Sequence, residues 1–301
     1  MYNSGPKEWQ DRITARSAGE IAGTTSCSMA AASAVGVFDS GIGGLSVLRH
    51  IRTQLPHENL LYFADTGFAL YGDKPEDVIV ARSLTIAAFL IQQGAKALVV
   101  ACNTATAAAI KALRSSYPAL PVIGVEPGLK PAAALTQSKT VGVLATNRTL
   151  ASAKFNLLRE QINAATNVRF VTQACIGLAD QVEKGDLQSS ATALLVHRYV
   201  APLIAQGADT LVLGCTHYPF VQTLIEEAAI RSGKSPVTII DTGEAVARQL
   251  LRLLEQDGIQ NPASNTGTLK AFSTGSKTTL AAAFATLLNL HPAFIEGRVM
   301  L

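Results

Sequence analysis

Short apolar runs alternate with longer stretches of helical period along the chain from Ala34 onward. The short runs are uninterrupted and rich in Val, Ile and Leu, as in strands that are covered on both faces. The longer stretches, such as 75–93 and 191–206, carry apolar residues at helical spacing and end near Gly94 and Gly207. This alternation predicts an α/β protein with mainly parallel sheets. The predicted strands include 35–38, 59–64, 97–102, 121–126, 140–145, 210–215 and 236–241.

An internal repeat divides this pattern into two similar halves. Residues 93–104 align without a gap on residues 206–217, and the apolar runs of the two segments end in Cys102 and Cys215. Further matches, in the same order, pair 35–38 with 141–144 and 121–128 with 236–243. The repeat predicts two similar doubly wound α/β domains, each with a cysteine at the carboxyl edge of its sheet, where open sheets bind ligands. The active site would then lie in the cleft between the domains.

The composition narrows the class of protein. Of the 301 residues, 48% are hydrophobic and 16% are charged, which supports a substantial core. The net charge of +3 is spread without basic clusters, so nucleic acid is not an expected partner. No apolar run reaches the roughly 18 residues of a membrane span and no signal peptide is recognisable, so we expect a cytoplasmic protein. Residues 1–34 are rich in Ser, Ala and Gly without a sustained period, which predicts a disordered extension.

The cysteines are the strongest candidates for chemistry. The four cysteines form no CxxC pair, which disfavours a metal site and a disulfide framework, so we expect free thiols and no metal ion. Removing a proton from an α-carbon and returning it on the opposite face requires an acid/base group on each side, and Cys102 and Cys215 could supply them. A thiol of pKa about 8.5 is tuned by a helix N-terminus or a neighbouring cation. The alternative is that both are inert core thiols.

Two further residues are candidates by their position beside predicted strand ends. Asp39 ends the first predicted strand and precedes a glycine-rich loop, 40–44, whose backbone N–H groups are suited to an anion. Asp39 could contact a substrate ammonium or assist a thiolate, or it could simply cap the next helix. His217 lies two residues beyond Cys215 and could orient or polarise a neighbouring group.

Other motifs point away from nucleotide, phosphate and pyridoxal chemistry. Ala108 and Val221 occupy the positions six residues after the two cysteines, where a phosphatase loop needs Arg. The run 274–279 lacks the upstream glycine of a nucleotide-binding loop and is interpreted as a turn and helix cap. No lysine stands in a context typical of a Schiff base. We therefore expect no cofactor.

Several motifs together resemble the bacterial glutamate racemases of the aspartate/glutamate racemase superfamily. The resemblance implies two α/β domains with the active site between them, a two-cysteine mechanism without metal or pyridoxal phosphate, and a supply of D-glutamate for peptidoglycan biosynthesis. It places the first domain at 35–126 plus 235–285, the second at 127–234, and a tail at 286–301. The motifs are FDSGIGGLSV at 38–47, ADTGFALYGDK at 64–74, VVACNTAT at 99–106, GVEPGLKPA at 124–132, LATNRT at 144–149, VEKGDL at 182–187 and LGCTHYP at 213–219.

The same resemblance assigns site residues. It implies that Asp39, Glu183 and His217 support the two cysteines. One departure is Leu70, where the family usually has proline. The residues that would contact the amino acid are Asp39, Ser40, Tyr71, Gly72, Asn103, Thr104, Thr146, Thr216 and His217.

Two alternatives stay open at the level of sequence. A racemase of the same superfamily could act on aspartate or another acidic substrate, and only the resemblance favours glutamate. A non-catalytic amino-acid-binding regulator could use the same two-lobed cleft, although Cys102, Cys215 and Asp39 are all present. The expected partner is a small-molecule substrate, and a homodimer is an expected assembly.

Overall fold

A computed structural model describes residues 33–233 and 236–301. The predicted disordered extension therefore lies outside the described residues, except for its last two. Ala34, the last of these, already begins the first strand. The ten strands of the described chain are β1 (Ala34–Asp39), β2 (Asn59–Ala64), β3 (Ala95–Val100), β4 (Val122–Gly124), β5 (Thr140–Ala145), β6 (Arg169–Ala174), β7 (Thr210–Gly214), β8 (Thr238–Ile240), β9 (Leu269–Ser273) and β10 (Phe294–Glu296).

At least one helix separates each pair of consecutive strands, as the alternating pattern predicts. Short 3₁₀ turns occupy Tyr71–Asp73 and Tyr218–Val221. The described α-helices are α1 (Leu45–Gln54), α2 (Glu76–Gln92), α3 (Asn103–Ser116), α4 (Leu129–Leu135), α5 (Asn147–Ala151), α6 (Ala153–Thr166), α7 (Leu178–Glu183), α8 (Ser190–Ala205), α9 (Gln222–Arg231), α10 (Gly243–Gln256) and α11 (Lys277–Leu288). Within the part of the chain that the structure describes, no helix is long and apolar enough to cross a bilayer.

The strands form two parallel sheets with the same internal order. The first sheet has six strands in the order β10-β9-β2-β1-β3-β4, and the second has four in the order β6-β5-β7-β8. All pairings are parallel. The core order β2-β1-β3-β4 of the first sheet is thus repeated as β6-β5-β7-β8 in the second. The fold class predicted from the sequence is confirmed, and the three matched segment pairs are the equivalent strands β1 and β5, β3 and β7, and β4 and β8.

A close contact within each sheet repeats along with the strand order. Gly36 in β1 lies close to the neighbouring strand, because an added Cβ would lie 3.0 Å from Cδ2 of Leu98 in β3. At the equivalent place in the second sheet, a Cβ on Gly142 would lie 2.6 Å from Cδ2 of Leu211 in β7. Both leucines are matched positions of the sequence repeat. The repeat therefore extends from topology to individual packing contacts.

Both faces of each sheet are covered, which explains the uninterrupted apolar runs. In β2, Leu60 and Tyr62 belong to the core cluster beneath α1, α10 and α11, whereas Leu61 and Phe63 belong to the cluster beneath α2 and α3. Such alternation sends successive side chains to opposite faces. Each fully buried aliphatic side chain contributes about 1.5–3 kcal/mol to stability. The cores therefore hold the carboxyl edges of both sheets rigidly in place.

Two short strands belong to sheets to which the predicted domain boundaries do not assign them. β8 (Thr238–Ile240) pairs with β7 in the second sheet, although the predicted boundary at 235 put it with the first domain. β10 (Phe294–Glu296) pairs with β9 in the first sheet, although it lies in the predicted tail 286–301. The domain boundaries themselves stay a prediction. Ser276 caps α11 by accepting the backbone N–H of Thr279, in keeping with the turn and cap predicted for 274–279.

Candidate active site

The carboxyl edges of the two sheets meet around a cavity of about 150 Å³. Ser40 follows β1 and Cys102 follows β3 on the first sheet, whereas Thr146 follows β5 and Cys215 follows β7 on the second. Ten of the sequence-predicted residues are brought to the wall of this cavity: Ser40, Tyr71, Gly72, Cys102, Asn103, Thr104, Thr146, Cys215, Thr216 and His217. Asp39 and Glu183 do not line it.

Cys102 is a buried thiol at the start of a helix. The residue has extended backbone and caps α3, and its Sγ accepts the backbone N–H of Ala105 at 3.4 Å. Its thiol donates to Oγ of Ser40 at 3.7 Å. Burial raises the pKa of Cys102 far above its usual range, and the negative charge of Asp39 raises it further. Both effects favour the protonated thiol at Cys102.

Cys215 has a different environment, in which a histidine lies against the sulfur. Its Sγ lies 3.6 Å from Nδ1 of His217, and Nε2 of His217 lies 2.7 Å from Oε1 of Glu183. Burial lowers the pKa of His217, but its hydrogen bonds with Cys215 and Glu183 and their negative charges outweigh burial and raise the pKa well above the usual value. A protonated imidazole donates from both nitrogens. This arrangement favours a protonated His217 that donates to both the Cys215 sulfur and the Glu183 carboxylate.

The glycine-rich loop after β1 meets anions, but they are carboxylates of the protein itself. The backbone N–H of Ile42 donates to Oε1 of Glu183 at 2.7 Å, and the N–H of Gly44 donates to Oδ2 of Asp39. These two N–H groups are therefore already occupied by carboxylates of the protein. A Cβ on Gly41 would lie 1.9 Å from Oε1 of Glu183, and a Cβ on Gly43 would lie 2.4 Å from Nδ1 of His217. The glycines are needed because the loop lies directly against the ion pair.

Asp39 is fully buried and lies behind the cavity wall. Besides Gly44, its carboxylate accepts the backbone N–H of Ser40 at 2.7 Å and the hydroxyl of Thr216 at 3.3 Å. Burial raises the pKa of Asp39, which the charge of His217 partly offsets. The residue does not cap α1, because Gly44 holds the cap position without a side-chain hydrogen bond. Asp39 therefore links Ser40 of the first sheet to Thr216 of the second.

Hydroxyl and amide groups cover the wall between the two thiols. Oγ1 of Thr104 lies 3.1 Å from Oγ1 of Thr146 and 3.4 Å from Oγ1 of Thr149, so this cluster also joins the two sheets. Nδ2 of Asn103 is buried and has no hydrogen-bond partner among the described residues. Buried polar groups are usually paired. An unpaired amide at the cavity is therefore a donor available to a ligand.

Tyr71 and Gly72 enter the cavity from the loop after β2. The hydroxyl of Tyr71 does not face a ligand, because it donates to Oδ2 of the buried Asp65 at 2.6 Å. Gly72 lies against the other sheet, since an added Cβ would be 3.4 Å from Cβ of Thr146. Leu70, where the family usually has proline, also lines the cavity. The Ala69–Leu70 peptide bond is cis.

Nine cavity residues were not among the candidates from sequence. Two could have been found: Tyr218 lies inside the LGCTHYP motif, and Cys175 follows β6 at a strand's carboxyl end. Leu70, Asp73 and Asn147 also lie inside quoted motifs, whereas the remaining four residues lie in none of them. The nine are Leu70, Asp73, Asn147, Cys175, Ile176, Gly177, Ala179, Asp180 and Tyr218.

Within 33–233 and 236–301, no group of three or more His, Cys, Asp or Glu side chains is arranged to hold a metal ion.

Known proteins share both the sequence and the fold of this chain. Residues 43–250 match the family model described as Asp/Glu/Hydantoin racemase. The glutamate racemase of Methylococcus capsulatus is 58% identical over 226 residues, covering 75% of this chain and 80% of that protein. The crystal structure of the glutamate racemase isoform RacE1 from Bacillus anthracis superposes with a TM-score of 0.77 at 32% identity, covering 87% of this chain and 96% of that one.

A further structure carries a ligand. The crystal structure of the glutamate racemase from Francisella tularensis, in complex with D-glutamate, superposes with a TM-score of 0.76 at 28% identity and covers 88% of this chain and 97% of that one. The family match, the identity over most of the chain and the shared two-sheet architecture agree. The chain therefore belongs to the Asp/Glu/Hydantoin racemase family and is an amino-acid racemase.

Proposed function

We propose that this chain is a glutamate racemase that interconverts L- and D-glutamate with two cysteines and no cofactor. The observation that carries the proposal is that Cys102 and Cys215, at equivalent positions of the internal repeat, line one cavity from the edges of different sheets. Inversion at an α-carbon requires an acid on one wall of the cavity and a base on another. The related protein solved with D-glutamate supports glutamate as the substrate.

The environments of the two thiols suggest how the proton moves. Cys215, held as a thiolate by the His217 imidazolium, removes the α-proton of one enantiomer and becomes a thiol. The electron pair of the broken C–H bond stays on the α-carbon, delocalised into the adjacent carboxylate. The Cys102 thiol then gives its proton to the opposite face and becomes a thiolate. The reverse reaction starts from this second protonation state, so each thiol acts as base in one direction and as acid in the other.

The donors around the thiols suit a small dicarboxylate. Asn103 offers an unpaired amide, and Ser40, Thr104, Thr146 and Thr216 offer hydroxyl groups at the same wall. Neutral donors aimed at a carboxylate bind it, and they also stabilise the charge that develops when the α-proton leaves. In this proposal Asp39 and Glu183 act from behind the wall. Asp39 would orient Ser40 and Thr216, and Glu183 would keep His217 protonated.

Aspartate is the competing substrate. The experiment that tests the proposal follows the circular dichroism of the purified protein with L-glutamate, L-aspartate and L-alanine, in the presence of a chelator and without pyridoxal phosphate. We expect loss of optical activity with glutamate at a rate at least tenfold above that with aspartate. A tenfold ratio corresponds to a difference of about 1.4 kcal/mol in transition-state binding. Faster turnover of aspartate, or activity only with an added metal or pyridoxal phosphate, would contradict the proposal.

The cellular role follows from the proposed reaction. We propose that the enzyme works in the cytoplasm and supplies D-glutamate for peptidoglycan biosynthesis, and that it assembles as a homodimer. Expression of the chain in a bacterial strain that requires external D-glutamate tests the role, with growth as the expected result for the wild type and none for Cys102→Ala. Light scattering of the purified protein tests the assembly, and a monomer mass would contradict it.

A further inference from the structure

A second buried polar cluster lies directly behind the cavity, at the carboxyl end of β2. Its centre is Asp65, whose carboxylate is fully buried. Arg82 donates to both oxygens of Asp65, at 3.0 Å from Nε and 2.7 Å from its terminal nitrogen. The hydroxyl of Tyr71 donates at 2.6 Å and that of Thr274 at 2.8 Å. We call these four residues, Asp65, Tyr71, Arg82 and Thr274, the Asp65 cluster.

Thr274 brings the C-terminal part of the chain into this cluster. It follows β9, beyond residue 250 where the match to the family model ends. Besides donating to Asp65, its Oγ1 accepts the backbone N–H of Gly67 at 2.9 Å. Beside it, the hydroxyls of Thr66 and Ser273 lie 2.7 Å apart, and the backbone N–H of Val299 donates to the carbonyl of Ser273 at 2.9 Å. The chain end is thus tied to the loop after β2.

The same loop continues from Tyr71 into the cavity wall and across to the second sheet. Gly72 lines the cavity and lies against Thr146. Two residues further on, the carbonyl of Lys74 accepts a hydrogen bond of 2.7 Å from Arg148 in α5. Any displacement of Tyr71 would therefore move the wall formed by Gly72 and its contact with the opposite sheet.

We propose that Thr274 is a positioning residue for substrate binding, acting through Asp65 and Tyr71 on the wall at Gly72. This inference rests on the proposed racemase function. A buried carboxylate with four donors fixes its neighbours in one arrangement. Loss of one donor leaves part of its hydrogen-bonding capacity unused and lets the loop shift. The thiols lie on other loops, so the effect falls on binding rather than on proton transfer.

The chain offers a matched control at the other end of the same strand pair. Thr268 immediately precedes β9 and donates to Oδ1 of Asn59 at 2.8 Å, far from the cavity edge, just as Thr274 immediately follows β9 and donates to Asp65. Thr268→Val and Thr274→Val remove the same group from the same pair of strands. Thr274→Ser keeps the hydroxyl and removes only a methyl group.

The test compares steady-state racemisation of glutamate by these variants. We expect Thr274→Val to raise KM about tenfold, with kcat within about threefold of wild type. A tenfold rise is the effect expected from the loss of one hydrogen bond to a charged group. Thr274→Ser and Thr268→Val should stay near wild type. An unchanged KM in Thr274→Val, or an equal rise in Thr268→Val, would overturn the positioning role. A wild type inactive on glutamate would instead overturn the proposed function.

Two further measurements test the inference, and the first serves even if Thr274→Val folds poorly. Tyr71→Phe removes the other hydroxyl on Asp65, and we expect a KM rise of similar size; wild-type KM would overturn the inference. Hydrogen exchange of residues 66–75 needs no substrate. Faster exchange in Thr274→Val than in Thr268→Val supports the positioning role, and equal exchange in the two variants overturns it.

Discussion

Oε1 of Glu183 lies 2.7 Å from Nε2 of His217 and accepts, on the same oxygen, the backbone N–H of Ile42 at 2.7 Å. One carboxylate thus holds the imidazole from the second sheet and the glycine-rich loop from the first. Because the other ring nitrogen of His217, Nδ1, lies against the Cys215 sulfur, Glu183 acts on the cavity through His217 although it does not line the cavity itself.

Replacing Glu183 by Gln should move the alkaline limit of activity to lower pH. The carboxylate raises the pKa of His217, so its loss lowers that pKa, and the imidazolium that stabilises the Cys215 thiolate is lost at lower pH. We expect the alkaline limb of the kcat profile to shift down by about one unit or more. The control is Glu244→Gln, which removes an exposed carboxylate paired with Arg248. An unshifted limb in Glu183→Gln would contradict this role.

Replacing Gly43 by Ala should abolish activity by displacing the imidazole. The added Cβ would lie 2.4 Å from Nδ1 of His217, and the ring cannot yield without breaking its contact with Cys215 or Glu183. We expect kcat to fall at least 100-fold, the range of an acid/base group put out of place. Activity is measured after circular dichroism has shown a native spectrum.

Gly258→Ala provides the comparison for Gly43→Ala. Gly258 has φ of +64° after α10 and no atom within 4 Å of an added Cβ. Its replacement costs about 1 kcal/mol of stability through backbone strain and should leave kcat unchanged. Equal kcat losses in the two variants would show that the steric argument for Gly43 is wrong.

Asp209 should make the fold sensitive to strong acid. Burial raises its pKa, but donors from Thr136, Ser138, Thr210 and Gln137 outweigh burial and lower the pKa to about 2. Because the folded pKa lies below the unfolded value, the stabilisation is complete above about pH 4 and is lost as the pH falls towards 2. Asp209→Asn should therefore lower the free energy of unfolding by about 2 kcal/mol at pH 7 and much less near pH 2.

Urea denaturation at both pH values measures this difference. Asp257→Asn, which changes an exposed aspartate at the end of α10, is the control and should be neutral at both. An equal loss of unfolding free energy in Asp209→Asn at pH 7 and near pH 2 would contradict the lowered pKa of Asp209.

The sheets were predictable from sequence to the extent that their strands are buried on both faces. β2 and β5 have the predicted bounds because covered strands are continuous apolar runs between polar loops. β10 was missed, since Phe294–Glu296 has only three residues at an edge and two of them are exposed. The repeat predicted that both cysteines lie at equivalent strand ends, where the loops of an open sheet bind ligands, and both do line the cavity.

Contacts between distant loops could not be predicted in the same way. Thr274 and Asp65 are 209 residues apart and meet only because β9 lies beside β2. Glu183 would look like a solvated helix residue without the family resemblance, and its partner His217 is 34 residues away. The glycine-rich loop was correctly predicted to meet anions, but a single sequence cannot tell a substrate carboxylate from one supplied by another loop.

Circular dichroism of L- and D-glutamate over time with Cys102→Ala, Cys215→Ala and Cys27→Ala tests whether Cys102 and Cys215 are the two acid/base groups. Cys27 lies outside the described residues and outside the segments that resemble the family, so its variant is the control and should match wild type. Each of the other variants should lose about 10²- to 10⁴-fold in both directions, because the remaining thiol cannot reprotonate the opposite face. Retention of more than roughly a tenth of wild-type activity by either folded variant would contradict the two-cysteine account.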